Sequence, residues 1–97
     1  MPRVFERYSA TYTGDGNAKT LTIGFKPSYL KLSNVTDRIE EEKFESMLDT
    51  EVLHTVAAGT RTLDTGTLVK FNSDKKTVLI AAGANVSAKV YHVIALP

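Results

Sequence analysis

Residues 7–13, Arg7-Tyr8-Ser9-Ala10-Thr11-Tyr12-Thr13, put Tyr8, Ala10 and Tyr12 on one face at the two-residue period of a strand. Gly14-Asp15-Gly16-Asn17 breaks the alternation with residues that tolerate positive φ. It resumes in Thr20-Leu21-Thr22-Ile23-Gly24-Phe25, with Leu21, Ile23 and Phe25 inward. These two runs are expected to form a hairpin, ended by Lys26-Pro27 because proline supplies no ladder donor. A third strand over Tyr29–Asn34 turns Leu30 and Leu32 to the core. Further on, Leu53–Ala57 and Thr60–Leu63 flank Gly59. Thr67–Phe71 and Lys76–Ala81 flank Asn72-Ser73-Asp74-Lys75, the length of a hairpin loop. Ala88–Leu96 is the last strand. Short strands with regular turn signals predict a mainly β fold, an antiparallel β-sandwich or small barrel formed by residues 1–97 as a single domain.

Two stretches resist simple alternation. In Ile39–Leu48, Phe44, Met47 and Leu48, followed by Val52, fall at helical spacing among many glutamates, which favours one short helix around residues 39–48. A strand over 37–47 is the alternative, with glutamates on both faces. In the last strand Tyr91, Val93 and Ala95 point one way and His92, Ile94 and Leu96 the other, so both faces are largely apolar. The outward side of a sandwich strand is ordinarily polar. Its cover is expected either from the middle segment or from another copy in a homo-oligomer.

Charge changes this picture locally. Residues 37–51 hold seven acids and two bases, a net of −5, and the remainder ten bases and four acids, +6, within a total of +1. The acidic stretch is expected to be a solvated face, or else a band that meets a basic partner surface. The near-zero total argues against nucleic acid, although Arg7, Tyr8, Tyr12, Lys26, Tyr29 and Lys31 are the residue types that single-strand binders use. The longest apolar run, Val78–Ala82, is far short of the ~20 residues of a membrane span. No apolar leader follows Met1, so the mature chain is expected to begin there, with residues 1–7 as an extended arm.

Candidate chemistry is sparse. The chain has no cysteine and two histidines, His54 and His92, neither within a recognisable catalytic motif. Glu40, Glu41, Glu42 and Glu45 could supply paired carboxylates, but consecutive glutamates diverge in helix or strand. Asp15 and Asn17 lack the later bidentate glutamate of a calcium loop and read as a turn. The expectation is a protein without enzymatic activity, metal or cofactor.

Gly24-Phe25-Lys26-Pro27-Ser28-Tyr29-Leu30-Lys31-Leu32 resembles a strand–turn–strand of small virion proteins of tailed bacteriophages. The runs Asn34–Ile39, Glu42–Met47 and Thr55–Leu63, and the ending Asn85–Leu96, are similar to segments of the same group in the same order. The chain departs from that pattern in having Lys43-Phe44 where a bulky aromatic such as Trp is usual, and Ser46 where a glycine often precedes Met. The resemblance implies a strand in the middle segment. It also implies a structural subunit at the capsid surface of a virion assembled in the host cytoplasm, a decoration or cement protein that binds the shell exterior and stabilises it. Its partners would be the major capsid protein or another virion protein and further copies of itself. A tail-fibre or receptor-binding module is the alternative, with Tyr12, Tyr29 and Tyr91 as glycan platforms. Interface candidates are Arg3, Val4, Phe5 and Arg7 in the arm and Tyr91, His92, Ile94 and Leu96 in the last strand.

Overall fold

The computed structural model describes residues 7–74 and 76–97. Among the described residues nine strands run in chain order: β1 (Tyr8–Thr13), β2 (Lys19–Thr22), β3 (Tyr29–Asn34), β4 (Ile39–Phe44), β5 (Val52–Thr55), β6 (Arg61–Asp64), β7 (Val69–Phe71), β8 (Thr77–Ile80) and β9 (Val90–Leu96). A 3-10 turn, Ala82–Ala84, leads from β8 towards β9. They form two antiparallel sheets, one of six strands in the order β1-β9-β3-β4-β5-β6 and one of three in the order β2-β8-β7. The sheets pack as a sandwich, and neither closes into a barrel.

The core lies between them. Leu30 and Leu32 of β3, Val52 of β5 and Val93 and Ala95 of β9 meet Leu21, Val69, Val78 and Ile80 of the smaller sheet, each almost fully buried. Period-two patterning decides the faces, since a shift by one residue would carry the whole apolar set to solvent. The expected hairpin of β7 and β8 is present, with Val69 opposite Ile80.

The expected pairing of β1 with β2 is not found. β1 pairs with β9 and β2 with β8, in different sheets. The glycine-rich connection crosses the sandwich instead of folding back, and it is tied down from the far side. The Gly14 N–H donates to Lys89 O, and Gly14 is buried so closely that a Cβ would lie 2.0 Å from Val86 O. The Asn85 amide donates to Asp15 Oδ1 and Asn17 O. These anchors hold the turn against residues 85–89, so β1 and β2 enter different sheets instead of pairing side by side.

The helix expected around residues 39–48 is also corrected: residues 39–44 are β4. Hydrogen bonding to β3 on one side and β5 on the other, with Glu41 opposite Leu32 and His54, outweighs glutamate's helical preference. The residues at helical spacing are divided among elements: Phe44 ends β4 and is exposed, Met47 and exposed Leu48 lie in the loop after it, and Val52 opens β5 in the core.

Candidate docking surface

Strand alternation divides the chemistry of the six-stranded sheet into an inner and an outer face. On the inner face, beyond the apolar core, stand three polar residues of β4 and β5. Lys43 is 1% exposed, and its ammonium donates to Leu48 O at 2.8 Å, Glu51 O at 2.7 Å and, more weakly, Asp49 O at 3.4 Å, so it pins the β4–β5 loop. It also lies 5.8 Å from the Phe71 ring centroid. Burial pushes its pKa down, against the pull of nearby Asp49 and Glu51. One row along, the His54 Nδ1 lies 2.5 and 2.9 Å from the two oxygens of buried Glu41. Burial raises the Glu41 carboxyl, and His54 opposes that shift. The adjoining cavity, against Leu32, Leu68 and Ala84, is only about 100 Å³. The pair therefore serves to satisfy a buried carboxylate, and sequence spacing had left His54 without an assigned partner.

The outer face is built from the alternate residues. Leu96, Tyr29 and Phe44 form one cross-strand row, since Tyr29 is opposite both Leu96 and Phe44. Leu96 is 40% and Phe44 42% exposed. The Tyr29 and Phe44 rings lie 5.2 Å apart in a tilted arrangement, and the Tyr29 hydroxyl donates to Glu42 at 2.7 Å. Burial, then that hydrogen bond, pushes the Tyr29 pKa up to about 12. The next row runs Ser9, Ile94, Lys31, Glu42, Leu53 and Leu63. No described segment lies over the Leu96–Tyr29–Phe44 end of this face, whereas at the opposite end Val35, Arg38 and Val56 wall a cavity of about 380 Å³ with Ser33 and Glu40. β4 lies two strands away from β9 in the same sheet, so the middle segment does not cover the last strand as one expectation had it.

Of the interface candidates, His92, Ile94 and Leu96 stand together on this outer face, with the His92 Nδ1 3.3 Å from the Thr11 hydroxyl. Arg7 is exposed at the start of β1. Tyr91 does not belong with them: it is 3% exposed, stacks on Tyr12 at 5.3 Å, and its hydroxyl accepts from the Val86 N–H. Arg3, Val4 and Phe5 lie outside the described residues. Phe44 was missed as a surface residue, and Tyr29 was offered only as a glycan platform or single-strand contact, because the row they form depends on which residues stand opposite them, which no single run displays.

The acidic stretch is largely matched within the chain. Lys31 meets Glu40 at 3.0 Å, Lys89 meets Asp37 at 3.2 Å, and Lys26 and Arg61 approach Glu45 and Glu42 at 3.8 and 3.9 Å. Such surface pairs are each worth about 0–1 kcal/mol, but together they leave little free negative charge for a basic partner. The single-strand binding residues are divided, Tyr8 and Tyr12 inside and Tyr29 and Lys31 outside. Asp15 accepts from the Asn17 N–H in a plain turn, and the described residues hold no cluster of three or more potential metal ligands. No helix among the described residues is long and apolar enough to cross a membrane. Comparison with family models, with curated proteins and with solved structures finds no match to this chain.

Proposed function

We propose that this chain is a structural protein of a phage particle, a capsid decoration subunit that lays the outer face of its six-stranded sheet on the shell and stabilises it. The observation that carries the reading is the exposed row Leu96–Tyr29–Phe44, with Ile94 beside it, at an end of the face that no described segment of the chain covers. Exposed apolar surface rimmed by charge, here Lys31, Glu42 and Lys26, is the usual mark of a protein-binding site. A shell lattice presents its binding surface many times, so modest contacts per subunit add up across copies. The choice of a virion partner rests on the likeness of residues 24–96 to small phage virion proteins.

The test is association of the purified chain with preformed empty shells, followed by the shell melting temperature. Co-sedimentation with a raised shell melting temperature supports decoration. Absence of binding at micromolar concentration overturns it, and binding to host cells competed by surface polysaccharide would favour a receptor-binding module instead.

A further inference from the structure

The six-stranded sheet ends on one side in β1, and the hydrogen bonds fix which of its main-chain groups are free. The Gly14 N–H donates to Lys89 O, and counting back along the antiparallel register directs Tyr12, Ala10 and Tyr8 towards β9. The N–H and C=O groups of Ser9, Thr11 and Thr13 therefore point away from the sheet, with no partner among the described residues. Folded proteins commonly blunt such an edge with lysine, proline or a bulge. The other three edge strands carry charge: Lys19 on β2, Arg61 and Asp64 on β6, and Lys70 on β7. β1 is Tyr-Ser-Ala-Thr-Tyr-Thr, six residues of high strand preference with neither charge nor proline.

We infer that β1 is the seam of a homodimer, in which it pairs antiparallel with β1 of a second copy about a two-fold axis at Thr11. The register follows from the free groups. With Thr11 opposite Thr11, Ser9 of each copy stands opposite Thr13 of the other, and the three outward pairs form six main-chain hydrogen bonds. On the inner face Ala10 then lies beside Tyr12 of the second copy, small against large, and on the outer face hydroxyls meet hydroxyls. The strand ends then bring Arg7 of one copy towards the 14–17 turn of the other, where Asp15 Oδ1 already accepts from the Asn17 N–H and the Asn85 amide. Arg7 and Asp15 are both exposed and neither has an ion pair among the described residues, so the two ends of the seam are complementary in charge. That complementarity, twice over, marks a second copy as the occupant. The seam is an edge, separate from the outer face, and its existence does not depend on the decoration reading.

The experiment is sedimentation equilibrium of the full chain at about 1–200 µM, with hydrogen exchange read amide by amide. A dimer is expected, with the amides of Ser9, Thr11 and Thr13 slowing as concentration rises. Thr11→Pro removes an N–H that faces away from β9, and Thr11→Lys sets two ammonium groups against each other at the axis. Each is expected to weaken dimerisation at least tenfold while Tyr8, Ala10 and Tyr12 keep their protected amides, which shows that the fold survives. Arg7→Glu is expected to weaken it less, and to lessen its dependence on salt. A monomer throughout the range overturns the inference, as does a dimer indifferent to both Thr11 variants or one whose protection appears on β6. An added strand peptide that protects β1 of a monomer would make the occupant a foreign segment, and likewise overturn it. Shell binding by a monomer would refute the seam and leave the decoration reading intact.

Discussion

Replacing Lys43 by methionine removes the ammonium while leaving a flexible chain of similar length in the same slot. The wild-type head group makes two short hydrogen bonds, to the carbonyls of Leu48 and Glu51, and a longer one to Asp49. A hydrogen bond to a charged group contributes about 1.5–3 kcal/mol, so the two short bonds bound the effect at about 3–6 kcal/mol. Two terms reduce it. The residues that supply the carbonyls lie at or near the surface, where water recovers part of the loss, and methionine no longer carries the dehydration penalty that pushes the Lys43 pKa down. The expected net loss is about 2–3 kcal/mol, equivalent to a fall in Tm of about 10–20 °C for a domain of this size. Urea unfolding followed by circular dichroism measures it, with the slope unchanged if the native state stays compact. A loss below about 0.5 kcal/mol, or a gain, would refute the reasoning, because dehydration would then cancel the three carbonyl contacts.

The remaining expectations concern other parts of the molecule. Gly14→Ala drives a Cβ to within 2.0 Å of the Val86 carbonyl oxygen, and is expected to cost about 3 kcal/mol in thermal or urea melts. Glu41 has its pKa raised by burial, so its contribution to stability is fullest below the ordinary carboxylate range and declines as pH rises through the raised value. Glu41→Gln should flatten that part of the stability–pH curve, with denaturant midpoints at a series of pH values as the readout. Phe44→Ser and Leu96→Ser remove half-exposed apolar groups, so each is expected to change unfolding free energy by about 1 kcal/mol or less while lowering shell binding in co-sedimentation at least tenfold.

Strands with a clean two-residue alternation were legible in the sequence. Tyr29–Asn34 lies where its pattern places it, and so does the hairpin of β7 and β8. Two readings failed for one physical reason, that local pattern does not report long-range pairing. Glu40, Glu41 and Glu42 carry helix preference, yet β3 and β5 on either side hold them extended. The turn at 14–17 has hairpin composition, yet Asn85 and Val86, some seventy residues away, commit it to crossing between the sheets. On the candidate surface, alternation along β9 separated Tyr91 from His92, Ile94 and Leu96, but with both sides apolar it did not show which faced outward, and Tyr91, counted among the interface candidates, lies in the core. The row through Tyr29 and Phe44 was not legible, because it is assembled from three strands whose order in the sheet differs from their order in the chain.

β6 has a wider consequence. None of its four residues is buried, and the Val56–Thr60 connection that precedes it is exposed throughout, with Gly59 at a positive φ. That tip hangs clear of the leucine- and valine-filled interior, so extra sequence spliced between Ala57 and Gly59 would lengthen a loop without touching the packing that holds the molecule together. The chain thus has a natural place to carry foreign peptides, each presented outward at the end of a stiff ribbon.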